Sequence, residues 1–266
     1  MNKIKTRYPS FINDLKSNFE KNVALVEELM HFDRFVVDFC IQQIQTLNEK
    51  IKSNPHVKGN KYLHADNIIT NLTNIRQNDS MKLMYSKVNN QCLVLLVSYF
   101  SSSIREIFIR SLEFAFGSPL DLKLKTEELK LSFKEIEELV IFGEISLGKL
   151  FVEKKEISFQ DMQSIVRAFK SYLEIDIDRD NNINNIIFSQ ACRHVIVHSL
   201  SKADIKFIKQ VQSATSRDLK TAIIENEEII YSPEELGIVK NSMIHFIEEV
   251  CQKVEEKLKH EVEVFE

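Results

Sequence analysis

The sequence predicts an all-α protein, and three observations carry that expectation. Five Gly and four Pro in 266 residues are too few turn formers for a sandwich or a barrel, whose short strands each need a reversal. Apolar residues recur at helical spacing over stretches far longer than a strand. Boxes of the form S-x-x-[DE] recur ahead of apolar runs, where hydroxyl and acid satisfy the free amides of a helix start. With 44% hydrophobic content the chain can build a sizeable core. No repeat or low-complexity segment divides it, so a single domain over residues 1–266 is expected.

Taken in order, Phe11, Leu15, Phe19, Val23, Val26 and Met30, continued by Phe35, Phe39, Ile44, Leu47 and Ile51, predict a long N-terminal helix over residues 9–52. Asn54, Pro55, Gly59 and Asn60 break it. Residues 81–116 are apolar nearly all round, with Leu93, Leu96, Tyr99, Phe100, Ile104, Ile107, Phe108 and Leu112, which marks the central, most buried helix. Beyond Gly117, Ser118 and Pro119 the chain becomes charged. The boxes Ser132–Glu135 and Ser158–Asp161 predict helices over Phe133–Phe142 and Phe159–Leu173.

Asp176, Asp178 and Asp180 open like a calcium loop, but Asn181 stands where that loop needs glycine and Ile187 where it needs a bidentate glutamate. These residues are read as caps for the helix that follows, Asn182–Leu200. Ser201–Asp204 is a further box, which ends that helix near Leu200. Asp218–Tyr231 predicts a small β-hairpin turning at Glu225 and Asn226. Ser232, Pro233 and Glu235 then start a last helix, residues 233–260.

Composition excludes some functions. The 35 basic and 39 acidic residues leave a net charge of −4, so no global basic field coats a nucleic acid and any RNA contact is local. Cys40, Cys92, Cys192 and Cys251 stand singly in apolar runs and read as core residues of a reduced compartment. The N-terminal MNKIKTRYPSF has no signal h-region, and the apolar run CLVLLVSYF is about half of the ~18 residues a membrane span requires. A soluble cytoplasmic protein with no membrane contact is expected.

The chemistry concentrates in Asn182–Leu200, whose last turns carry Arg193, His194 and His198. Most of the circumference is fit for burial, and a buried guanidinium costs on the order of several kcal/mol unless it meets a partner or lines a solvated cleft. His194 and His198 are four apart and share a face. Arg193 and His198 are five apart, roughly 140° round the helix, within the swing of an arginine side chain. Histidines at i and i+4 also form zinc clamps, but HVIVH lacks the glutamate base of H-E-x-x-H and no third ligand is signalled. No metal and no cofactor are expected. The bland alternative pairs all three residues with acids of the charged middle segment.

The run R-H-V-I-V-H, Arg193 to His198, resembles the R-x4-H signature of the HEPN superfamily, all-α domains of which many are metal-independent ribonucleases. The segment L-V-S-Y-F-S-S-S-I-R-E-I-F resembles the second element of such domains, particularly the RiboL-PSP group. There an acidic residue often follows the aromatic; in this chain Ser101 stands in that place, with Glu106 one turn on as a candidate substitute helper or as an i, i+4 partner of Arg110. The resemblance covers residues 81–200. It implies a HEPN-like helical bundle that cleaves RNA by 2′-hydroxyl attack. His198 would be general base or acid, Arg193 would stabilise the transition state, and His194 would orient the phosphate or share a proton, so that Arg193 and His194 also bind substrate. It further implies a homodimer with a composite site, and a toxin or phage-defence effector restrained by an antitoxin or other regulatory protein. The alternative is an inactive HEPN module that binds RNA, a nucleotide or a partner protein.

Overall fold

The computed structural model describes residues 3–7, 9–54, 56, 65–77, 82–137, 146–220 and 223–264. The fold is all-α, with one small addition: strands β1 (Lys3–Arg7) and β2 (His260–Val264) pair antiparallel, Lys3 opposite Val264 and Arg7 opposite His260.

Helix α1 (Phe11–Ser53) follows its expected pattern, burying Ile12, Phe19, Val23 and Val26. A second seam at heptad spacing, Leu25, Leu29, Phe32, Val36 and Phe39, stays exposed. Beyond the break lies a helix that was not expected, α2 (Asp66–Gln77), tied back by Asn48, whose Nδ2 donates to Asp66 Oδ1 at 2.8 Å and whose Oδ1 accepts from the Ala65 amide at 3.0 Å. Helix α3 (Lys82–Phe116) is the centre of the protein. Leu93, Phe100, Ile104, Ile107, Phe108 and Leu112 are fully buried, and Phe100 meets Phe19 and Phe246 edge-on at 6.5 and 5.6 Å. By length and hydropathy this helix could cross a membrane, and 56% of its most apolar stretch is buried against the helices packed around it.

After a 3-10 turn at Lys123–Thr126, α4 (Phe133–Glu137) starts at its expected box, with Glu135 accepting from the Ser132 amide at 2.7 Å; the expected extension over 138–142 lies outside the described residues. Helix α5 (Leu147–Lys154) is capped by Ser146 and comes so close to α3 that a Cβ on Gly148 would lie 2.7 Å from the Ile109 carbonyl. Helix α6 (Met162–Leu173) begins later than expected, because Asp161 caps it by accepting from the Ser164 amide while Ser158 accepts from the Gln160 amide. Helix α7 (Asn181–His198) is capped by Asp180, α8 (Ile205–Val211) by Asp204 rather than Ser201, and α9 (Pro233–Leu258) by the full Ser232/Glu235 box.

Among the described residues of 218–231 the expected hairpin does not form. Glu225 and Asn226 do turn, but residue 228 bridges to Lys202, so the segment pairs with the end of α7 rather than with itself. The reason is competition: the Ala203 and Ser201 backbone groups and the α3 asparagines described below offer better partners than the short strand could.

Candidate functional site

Helix α7 runs through the bundle between α3, α6, α8 and α9 and buries Ile183, Ile186, Phe188, Ala191, Cys192 and Val195. Polar clamps set its register. Asn185, fully buried, donates to Asp218 Oδ2 at 3.0 Å and Ser242 Oγ at 3.1 Å and accepts from the Asp218 amide at 2.9 Å. Arg217 stacks on Phe188 at 4.5 Å and donates to the carbonyls of Ala214, Leu219 and Lys220, so its charge is solvated by backbone instead of an acid; burial lowers its pKa.

The exposed end of α7 is held as firmly. Leu200 and Ser201 both take left-handed backbone conformations, φ 51° and 63°, costly for residues with a side chain. The turn is pinned because Ile229 N donates to Ser201 O at 2.7 Å and Ala203 N to Glu227 O at 3.0 Å. That segment is pinned in turn by α3. Asn90 donates to the Ile229 carbonyl at 2.8 Å and accepts from the Tyr231 amide at 3.0 Å, and Asn89 donates to the Tyr231 carbonyl at 3.0 Å.

On this scaffold His194 and His198 are exposed, with ring centroids 4.9 Å apart. Arg193 is half-buried, its Nη1 lies 3.5 Å from Gln160 Oε1, and among the described residues its buried Nε has no partner and it makes no ion pair. The arginine divides two clefts. One, about 500 Å³, lies towards α8 and is lined by Gln160, Gln190, Arg193, His194 and Lys206 among others; the second, about 420 Å³, lies against α3 and is lined by Ser101, Ser102, Arg105, Gln160 and Arg193.

The structure thus brings Arg193 and His194 to one cleft and sets His198 beside His194 with the rings tilted by 50°, but His198 itself lines neither cleft. Arg193 and His198 share neither cleft, and the Arg193 guanidinium lies beside Gln160, from the turn before α6. Ser101 is at the α3 cleft, 5% exposed, its hydroxyl without a partner. Glu106 is not; it binds Arg110 Nε at 2.9 Å along its own helix and lines neither cleft. Asp176, one of the acids tested as a calcium ligand, pairs with Lys170. Among the described residues, no three of His, Cys, Asp and Glu gather in one place. Arg105, Gln160 and Gln190 join the site without any sequence signal, since only packing of α3, α6 and α7 puts them together.

Comparison with protein families, with curated proteins and with solved structures finds no match to this chain.

Proposed function

We propose that this protein is a metal-independent endoribonuclease of the HEPN kind, acting as a homodimer in the cytoplasm. The observation that supports it most directly is Arg193: a half-buried guanidinium with no ion pair and an unpartnered Nε, next in sequence to one member of a pair of exposed imidazoles. A fork of N–H donors left without a carboxylate matches a phosphate. RNA carries its own nucleophile, so cleavage needs a base for the 2′-hydroxyl proton, an acid for the leaving 5′-oxygen, and a cation for the phosphorane. In this reading one of His194 and His198 takes the 2′-proton while the other, protonated, gives one to the 5′-oxygen. Arg193 holds the non-bridging oxygens. The products are a 2′,3′-cyclic phosphate and a 5′-hydroxyl end.

The dimer reading is supported by the rim of this site. Val197, Leu200 and Ile205 are exposed around His198, Leu200 by 89%, and an isologous contact over them would set two such sites face to face. A toxin or defence role with a neutralising protein partner accompanies this reading.

The test is cleavage of a mixed RNA pool in EDTA by wild type, His198→Ala and Arg193→Ala at equal purity. Loss of at least ~10²-fold in both variants, with cyclic phosphate ends from the wild type, is expected. One observation favours a second reading, an RNA-binding module without turnover: His198 lies outside the clefts that Arg193 lines. A wild type that retards RNA in a gel without shortening it would establish that module instead.

A further inference from the structure

The cleft between α3 and the start of α6 has a composition that the cleavage chemistry does not require. Arg105 and Arg193 enter it, and among the described residues no Asp or Glu lines it, in a chain where acids outnumber bases by 39 to 35. Neither arginine makes an ion pair with a described residue. Ser101 lines it, nine-tenths buried, with a hydroxyl that has no hydrogen-bond partner among the described residues, and the buried Nε of Arg193, a residue of the same lining, is likewise unpartnered. Ser98 differs, since its hydroxyl is satisfied by the Val94 carbonyl at 2.7 Å. Buried donors left unpaired are costly, so two on residues lining one cleft point to a ligand rich in acceptors. Two guanidinium groups with no acid between them define its charge.

We propose that this cleft is a phosphate-binding subsite, in which Ser101 Oγ, Arg105 and Arg193 hold a phosphate of the RNA strand next to the one being cut. It rests on the ribonuclease reading for the identity of the strand. Arg193 then bridges two consecutive phosphates, one on each side of its guanidinium. Arg105 and Ser101 contribute position and affinity but touch no reacting atom.

The experiment measures binding of a short 2′-O-methyl RNA, which cannot be cut, to the full chain by fluorescence anisotropy across a salt series, alongside cleavage of ordinary RNA. Arg105→Gln is expected to weaken binding about tenfold and to lower the slope of log K against log salt by about one. Ser101→Ala is expected to weaken it severalfold at unchanged slope. Glu106→Gln, on the same helix but outside the cleft, is expected to bind as wild type does. Arg105 has no hydrogen-bond or ion-pair partner among the described residues, so its variant is expected to keep the wild-type melting temperature, which separates lost binding from lost structure. If Arg105→Gln binds the oligonucleotide with wild-type affinity and salt slope, the subsite is overturned even where RNA is cut. If wild type cuts nothing yet Arg105→Gln weakens binding, the nuclease reading falls and the subsite stands. Occupancy by inorganic phosphate alone, with no oligonucleotide binding, would assign the cleft to a free anion and overturn the strand subsite.

Discussion

Asn90 on α3 is the hinge pin between the core and the candidate site, and Asn90→Ala is the substitution that tests this. Asn90 is buried, and its amide satisfies the Ile229 carbonyl and the Tyr231 amide. Alanine leaves both backbone groups buried and unpaired, at ~1–3 kcal/mol each, so the variant should lose about 3 kcal/mol. For a chain of this size ~2 °C per kcal/mol then puts the melting temperature roughly 6 °C lower. Local effects should exceed the global one. The segment that Asn90 holds is the one that receives the Ser201 carbonyl and the Ala203 amide, so the turn carrying Leu200 loosens and the α7 end with it. Urea unfolding gives the global loss, and hydrogen exchange at the Tyr231 amide gives the local one. A loss under ~0.5 kcal/mol, or an unchanged Tyr231 exchange rate, would refute the idea that side chains of α3 set this segment.

Other consequences follow from the same structure. Gly148→Ala places a Cβ 2.7 Å from the Ile109 carbonyl, so α5 must move off α3; a loss of about 1–3 kcal/mol in urea is expected. Leu200→Asn relieves a left-handed leucine that buries almost nothing, so the folded monomer should gain roughly 0.5–1 kcal/mol while the proposed dimer should weaken, which thermal melts and sedimentation test. Burial pushes the thiols of Cys192 and Cys251 from their ordinary 9.0 up to about 12. The unfolded chain therefore releases those protons first, so the stability they contribute is intact below pH 9.0 and falls as pH rises towards 12. Thiol titration at pH 8 should find Cys92, Cys192 and Cys251 unreactive in the native protein and all four cysteines reactive after denaturation.

What the sequence determined by itself was the set of strongly periodic helices. The apolar stripes of α1, α3 and α9, the Ser232 box and the run of α7 are local patterns, set by spacing along one chain, and the structure follows them within a few residues. The cap positions of α6 and α8 slipped because S-x-x-D offers two side chains able to cap, and the aspartate took the role in both cases. The strand pair β1 and β2 escaped notice although His260–Val264 alternates polar and apolar residues, since each strand is stable only beside its partner at the other end of the chain. The hairpin failed for the converse reason: partners distant in sequence, Asn90 and Ser201, outcompeted the near one.

The candidate site divides in the same way. Arg193, His194 and His198 were legible because a guanidinium and imidazoles on an apolar helix conflict with burial, and that conflict is visible in one stretch of sequence. Which way each points was not. Gln160 meets the Arg193 guanidinium, Ser101 and Arg105 arrive from a helix nearly a hundred residues earlier, and the turn that presents His198 hangs on asparagines of α3. Spacing along a helix fixes directions only relative to that helix; which other surfaces those directions meet is settled by packing between elements remote in the chain, and only the tertiary structure decides that.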